Sequence, residues 1–294
     1  MKKRKGIILA GGSGSRLHPI TLGLSKQLVP VYDKPMIYYP LSVLMLAGIN
    51  EVCVITAPES KEQFVALLGD GSQWGMSFTY IVQPSPDGLA QAYILAEEFL
   101  NGAPSAMVLG DNIFYGSGFK DLLASANDKT EGGTVFGYEV SDPSQYGVVS
   151  FDRDGRVDGI VEKPAEPKSN FAVTGLYFLD GNASVRAKAV KASARGELEI
   201  TSLLETYLDE GSLSVEFMSR GYAWLDTGTP SSLLDAGNFV RTLQQRQGLQ
   251  VGCPEEIAFT NGWIDREKIR FAGQNFAKTE YGRYLLRLVR DNEA

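Results

Sequence analysis

Short runs of β-branched and other apolar residues alternate along the first half of the chain with longer stretches whose apolar residues recur every three or four positions. A short apolar run bounded by Gly, Pro or Asp suits a strand buried on both faces, and the longer period suits a helix with one face toward the core. Strands are predicted over Gly6–Ala10, Val52–Ala57, Ser77–Val82, Ala106–Gly110 and Thr134–Val140. Phe64, Leu67 and Leu68 would share one helix face, as would Ile200, Leu203, Leu204 and Tyr207. Asp87 is expected to cap the helix after Pro86, and Gly211 to end the helix before it. From Gly147 the pattern shifts to antiparallel strands over Val148–Phe151, Val157–Val161 and Phe171–Leu179, turning first at Asp152-Arg153-Asp154-Gly155. Two helices follow, then a strand at Leu213–Met218 and a helix from Pro230 toward Gly248. The pattern predicts an α/β fold with a mostly parallel central sheet flanked by helices. The last forty or so residues read as an appended, mostly helical subdomain.

Composition narrows the function classes. Of 294 residues, 44% are hydrophobic and 21% charged, enough to bury a sizeable core. The 28 Lys plus Arg against 35 Asp plus Glu leave a net charge of −7. Such a balance disfavours coating a nucleic acid, whose phosphates select basic surfaces. A small phosphorylated ligand needs only a few well-placed cations. Cys53 and Cys253 can build neither a disulfide framework nor zinc-ligand spacing, and a reducing, cytoplasmic setting is expected. After the basic start Met1–Lys5, only Ile7-Ile8-Leu9-Ala10 precede the glycines, shorter than the ~7–15 apolar residues of a signal peptide. The stretch from Met36 to Ile49 is interrupted by Pro40, Ser42 and Gly48 and falls short of the ~20 residues that span a bilayer.

The first strand runs into Gly11-Gly12-Ser13-Gly14-Ser15-Arg16-Leu17. Glycines let backbone N–H groups curl around phosphate oxygens, and Arg16 adds a permanent cation. A Walker A loop is excluded because Arg16 and Leu17 stand where Lys and Ser/Thr are required, and a dinucleotide fingerprint would need a third glycine at Leu17. Pro19, Thr21, Ser25-Lys26-Gln27-Leu28 and Pro30-Val31-Tyr32-Asp33-Lys34-Pro35-Met36 follow. The whole segment resembles the opening motif of the sugar-phosphate nucleotidyltransferases. The Ser-Lys-Gln-Leu variant and the continuation Ile37-Tyr38-Tyr39-Pro40-Leu41-Ser42 are most similar to the branch of that family that uses thymidine nucleotides. Matching segments recur to about residue 240.

The resemblance implies a Rossmann-like nucleotidyltransferase domain over residues 1–240, with a nucleotide half over about 1–145 and a sugar half over about 146–240, and a mostly helical C-terminal extension over 241–294. It implies nucleotide contacts from Leu9, Gly11, Gly12, Ser13, Gly14, Ser15, Arg16, Gln27, Gln83, Gly88 and Asp111. A Gln83 amide can pair with both a donor and an acceptor on a pyrimidine edge, and Gly88 would let backbone approach the base. Asp111 ends a predicted buried strand, at the edge where α/β sheets bind ligands. From the residues alone it could equally cap a loop, and Asp226 in Trp224-Leu225-Asp226-Thr227-Gly228 could terminate a helix or turn. The resemblance makes both Mg²⁺ ligands, in keeping with that ion's preference for one or two carboxylates plus phosphate oxygens and water. Tyr146, Gly147, Glu162, Lys163 and Val173 are implied to hold the sugar phosphate, with Glu162 accepting from hydroxyls.

The catalytic set implied is Arg16, Lys26, Asp111, Lys163 and Asp226, and the reaction is in-line thymidylyl transfer from dTTP to glucose 1-phosphate with release of pyrophosphate. The product would feed dTDP-L-rhamnose and related deoxysugars for cell-surface polysaccharide. A methyl group discriminates by only ~1–3 kcal/mol, so some use of UTP is expected. A UTP- or CTP-dependent relative and a non-catalytic nucleotide-sugar sensor are the alternatives. The family is also similar in forming homotetramers with feedback by a dTDP-sugar end product, for which Tyr115, Gly116 and Arg220 are candidate contacts. Partners in nucleic acid or membrane are not expected. The lone His18 has no triad around it, Tyr38 and Tyr39 read as helix packing, and Trp224 as packing near the site or in the core.

Overall fold

The computed structural model describes residues 2–12 and 14–290. Its strands are β1 (Lys5–Ala10), β2 (Pro30–Val31), β3 (Lys34–Pro35), β4 (Glu51–Thr56), β5 (Ser77–Val82), β6 (Ser105–Leu109), β7 (Asn112–Gly116), β8 (Gly133–Glu139), β9 (Gly147–Phe151), β10 (Val157–Glu162), β11 (Phe171–Leu179), β12 (Leu213–Met218) and β13 (Tyr222–Asp226). Its helices are α1 (Tyr38–Leu46), α2 (Lys61–Leu68), α3 (Gln91–Leu95), α4 (Glu97–Leu100), α5 (Phe119–Asp128), α6 (Ala183–Ala189), α7 (Ile200–Asp209), α8 (Pro230–Gln247), α9 (Pro254–Thr260), α10 (Arg266–Asn275) and α11 (Glu280–Arg290). Every strand expected from the apolar pattern is present, with its ends displaced by at most one residue.

Nine strands share one sheet, ordered β10-β9-β11-β6-β1-β4-β5, with β8 beside β11 and β12 beside β8. Strands β6, β1, β4 and β5 run parallel, and β9, β10 and β11 pair antiparallel. Ile7, Ile8, Val54, Ile55 and Val108 are fully buried because helices cover both faces. One face packs against α1, α2 and α5, the other against α3, α6 and α7. Helices α9, α10 and α11 continue the first layer through Ala258, Ile269 and Leu285. Helix α7 ends as expected: Gly211, at φ +67°, donates its N–H to Leu208 O at 2.8 Å.

One cap differs from expectation. Helix α3 begins at Gln91, with Ala90 at its N-cap and no side-chain cap. Asp87 is drawn elsewhere: its carboxylate accepts from Gln91 Nε2 at 2.8 Å, and its backbone carbonyl accepts from Leu198 N at 2.7 Å. The small pairs β2–β3 and β7–β13 are also additional to the pattern. Lys34 ties the first pair to the end of α8. Its ammonium donates to Asp33 at 2.6 Å, Gln244 and Gln250 at 3.1 Å and Val251 O at 3.0 Å, while burial lowers its pKa.

Strand β11 opens the molecule. Its Ala172 pairs with Val148 of β9, whereas Leu176–Leu179 pair with β6, and the ladder to β8 is irregular between Val173 and Tyr177. The sheet therefore forks near Gly175, and a cavity lies in the fork.

Candidate active site

The cavity in the fork has a volume of about 310 Å³. Its walls come from the ends of parallel strands (Leu9, Leu109, Asp111), from the antiparallel portion (Tyr146, Gly147, Glu162, Lys163, Val173) and from β13 (Trp224, Asp226). A second hollow of about 240 Å³ is lined by Gly11, Gly12, Gly14, Ser15, Arg16, Lys26, Gln27, Asp111 and Gly228. The two share Gly11, Arg16, Gln27 and Asp111. A ligand placed across them would run from the glycine loop, past Asp111, into the fork.

Backbone geometry explains the loop's composition. Gly12 and Gly14 stand at φ +98° and +58°, where a side chain is strained. Gly11 is needed for space, since a Cβ there would lie 2.0 Å from Gln83 Oε1. Ser13 lies outside the described residues.

The acidic centre is assembled by β7 and β13. Their antiparallel register sets Asp226 opposite Asn112, immediately after Asp111. Thr227 completes the join: its hydroxyl donates to Asp111 O at 2.8 Å. Burial raises the Asp226 pKa, and Asp111 raises it further; Lys26, Arg16 and the Gly228 backbone pull it down. Lys26, almost fully buried, meets Asp111 Oδ2 at 2.6 Å. Two carboxylates are thus driven together beside two cations, in a polar hollow adjoining glycine N–H groups. That donor set fits a divalent ion completed by phosphate oxygens and water. No group of three or more His, Cys, Asp or Glu able to cage a metal occurs among the described residues.

The far side of the fork is built from rings and charges. Tyr146 packs on Trp224 with ring centroids 5.0 Å apart, and burial together with Asp226 raises its pKa. Lys163 adopts φ +44°, a conformation that costs a non-glycine residue about 1–3 kcal/mol and recurs at functional sites. Its N–H donates to Tyr146 O at 3.0 Å, so the two residues are fixed together. Gly147 leaves room for Thr201, whose Cγ2 would lie 3.0 Å from an added Cβ, and Glu162 Oε2 would stand at an ordinary contact distance of 3.5 Å.

Sequence reasoning missed Arg195. It lies 2.8 Å from Glu199, 3.5 Å from Glu162 and 3.7 Å from Glu197, and it lines the fork with all three. Its only sequence signal is the charge-rich run Arg195-Gly196-Glu197-Leu198-Glu199, which reads as a solvated loop. Backbone bonds between Leu198 and both Asp87 and Ala90 dock this run onto the loop before α3. Gly88, at φ +114°, admits Leu198, whose backbone oxygen a Cβ would approach to 2.4 Å.

Gln83 is 5% exposed and donates to Gln91 Oε1 at 2.6 Å. Gln83 and Gly88 line neither of the two hollows. Tyr115 and Gly116 line a separate cavity of about 550 Å³ between α1, α5 and α9. Exposed Arg220, in the turn between β12 and β13, is not among its walls.

The sequence profile of the nucleotidyl transferases matches residues 5–242. The chain belongs to that family. Among its relatives is a glucose-1-phosphate thymidylyltransferase of Xanthomonas campestris, 60% identical over 290 residues that cover 99% of this chain and 98% of the relative. One from Mycobacterium tuberculosis is 52% identical over 288 residues, covering 98% of this nucleotidyl transferase and 100% of the relative. A Bacillus anthracis crystal structure assigned as the same kind of enzyme, in complex with sucrose, superposes with a TM-score of 0.75 at 42% identity over 81% of this chain and 95% of the other. A UDP-glucose pyrophosphorylase complexed with UDP-glucose, 24% identical over 82% of this chain and 99% of the other, shares the fold at a TM-score of 0.72.

Proposed function

We propose that this nucleotidyl transferase moves the thymidylyl group of dTTP to α-D-glucose 1-phosphate. An oxygen of the sugar phosphate attacks the α-phosphorus. A new phosphorus–oxygen bond forms as the bond to the β-phosphate oxygen breaks, and pyrophosphate leaves in line. The observation that carries this reading is the meeting of two hollows at Asp111 and Arg16, one ringed by glycines, Arg16 and Lys26 and the other by Tyr146, Glu162 and Trp224.

Catalysis here is positioning and charge neutralisation, since no covalent enzyme intermediate is required. Glycine-loop amides and Arg16 take the leaving pyrophosphate. Lys26, beside Asp111, faces the α-phosphate. Lys163 and Arg195 hold the attacking phosphate, and Arg195 exchanges its bonds to Glu199 for that anion. Glu162, acceptor-only when ionised, takes two adjacent sugar hydroxyls, while Tyr146, Gly147 and Val173 shape the hollow around the ring. Asp111 and Asp226 would hold Mg²⁺, which when bound lowers the repulsion between the two polyanions. Gln83 and the loop through Gly88 would read the base after rearrangement of the Gln83–Gln91 pair.

The wider reading places a nucleotide half over 1–145, a sugar half over 146–240 and an extension over 241–294, in a cytoplasmic homotetramer. A dTDP-sugar end product would act at the cavity lined by Tyr115 and Gly116. No helix among the described residues is long and apolar enough to cross a membrane.

Pyrophosphate release from dTTP, glucose 1-phosphate and Mg²⁺, with omission of each component, tests the proposal. Substitution of UTP or CTP tests the base. No release from the complete mixture, or equal turnover of UTP and dTTP, refutes the activity or the thymidine assignment respectively.

A further inference from the structure

Asn112 is buried at the floor of the fork, 3% exposed, and both ends of its amide are engaged. Its Nδ2 donates to Asp111 Oδ1 at 2.9 Å. Its Oδ1 accepts from Trp224 Nε1 at 2.6 Å and from Gly175 N at 3.2 Å. The orientation of the amide is dictated by chemistry: an indole can only donate, and an ionised carboxylate can only accept. The Gly175 N–H is free for this role because the β11 ladder is irregular between Val173 and Tyr177. A Cβ on Gly175 would lie 2.6 Å from Asn112 Oδ1, so glycine there leaves the amide its place. One side chain thereby joins three parts of the site. These are the Asp111 carboxylate, the Trp224 ring that supports Tyr146, and the backbone at the fork.

We propose that Asn112 is a positioning residue that locks the Asp111 carboxylate and the Trp224–Tyr146 platform into one unit, so that sugar-phosphate placement and the acidic centre are set together. The role rests on the reaction proposed above and adds to it a residue that works through others. Outer partners that orient metal-binding groups are commonly worth 10–100-fold in activity or affinity. The coupling should therefore appear in both kcat and the sugar-phosphate KM, while the dTTP KM stays near its original value.

The test compares wild type, Asn112→Ala, Asn112→Asp, Trp224→Phe and the double variant N112A/W224F, all kept well below their melting temperatures. N112A is expected to lower kcat about 10–100-fold and to raise the glucose 1-phosphate KM severalfold. The double variant should be no worse than its weaker parent, because both changes remove one shared bond. N112D supplies a readout that mere loss of packing would not move. The near-isosteric side chain keeps an oxygen to accept from Trp224 and Gly175 but loses the Nδ2 donor to Asp111. It should lower kcat as N112A does while keeping the glucose 1-phosphate KM and the fluorine resonance of 5-fluorotryptophan at position 224 near wild type, whereas N112A should shift both. Wild-type kinetics in N112A, additive losses in the double variant, or the same KM rise and resonance shift in N112D as in N112A would overturn the role while leaving the reaction intact. Absence of product from the wild type would overturn the reaction and this role together.

Discussion

Gly11→Ala is the sharpest probe of how the glycine loop meets the segment that begins at Gln83. Gly11 has an ordinary backbone conformation, so alanine adds no torsional strain there and acts only through space. The new methyl would stand 2.0 Å from Gln83 Oε1 and 3.2 Å from its Cδ, far inside the ~3.5 Å at which non-bonded heavy atoms rest. Gln83 cannot simply swing aside. It is 5% exposed and bonded to Gln91 at 2.6 Å, and Gln91 is bonded in turn to Asp87 at 2.8 Å. Moving it breaks one hydrogen bond worth about 0.5–1.5 kcal/mol net and adds an overpacking penalty of about 1–3 kcal/mol. Since the atom struck is the tip of a side chain, the low end applies, and about 2 kcal/mol is expected. In a chain of this size that lowers Tm by about 3 °C. If Gln83 reads the base, the same displacement raises the dTTP KM about tenfold for each ~1.4 kcal/mol of lost binding and leaves the glucose 1-phosphate KM unchanged. Initial rates of pyrophosphate release with each substrate varied, together with thermal unfolding, measure both effects. An unchanged dTTP KM alongside a lowered Tm would show that Gln83 has no part in binding the nucleotide. An unchanged Tm would refute the steric argument itself.

Asp226→Asn should separate stability from function. Burial and Asp111 raise the Asp226 pKa in the native state, so wild-type stability declines as pH rises from the unfolded value of about 3.9 through the raised native one. The variant lacks that slope and should be the more stable of the two at neutral pH, yet loses about a hundredfold or more in kcat; pH-dependent unfolding and turnover check both signs. Arg195→Met removes the cation clasped by Glu199 at 2.8 Å and should raise the glucose 1-phosphate KM about 10–100-fold, the worth of one charge-assisted bond, with the dTTP KM unchanged in the same assay. Arg4→Met tests the scaffold apart from the site. Its buried guanidinium donates to Ser105 O at 2.8 Å, Leu179 O at 3.0 Å and Asn127 Oδ1 at 2.9 Å, and burial holds its pKa down at about 10. The loss of about 3 kcal/mol should lower Tm by about 5 °C while kcat measured at low temperature is retained.

The parts of this molecule that could be read along the chain are those whose cause is local. Strands such as Gly6–Ala10 declare themselves because both faces are buried and every residue is apolar, and Gly211 ends its helix through its own positive φ. Asp87 misled for a physical reason: a short polar side chain beside Pro86 suits a cap, but Gln91 and Leu198 compete for its oxygens and win. The centre of the site is of the opposite kind. Strand β13 aligns Asp226 with Asn112 across more than a hundred residues of chain, and no spacing rule connects two positions joined only by a register. The two aspartates were recognisable because the whole motif set resembles a known family, not because either residue announces a partner. Arg195 is harder still, since its run is charged throughout and looks solvated until Leu198 docks on the loop at Gly88 and Glu199 becomes buried. The same distinction bears on Asn112. Its two bonded side chains are an immediate neighbour and a residue on the far side of the β7–β13 pair, so its role exists only once the long-range pairing has formed. Mutations that loosen that pairing without touching a substrate should therefore damage the acidic centre and the Trp224–Tyr146 platform at once, whereas changes within the parallel strands should be felt first as lost stability.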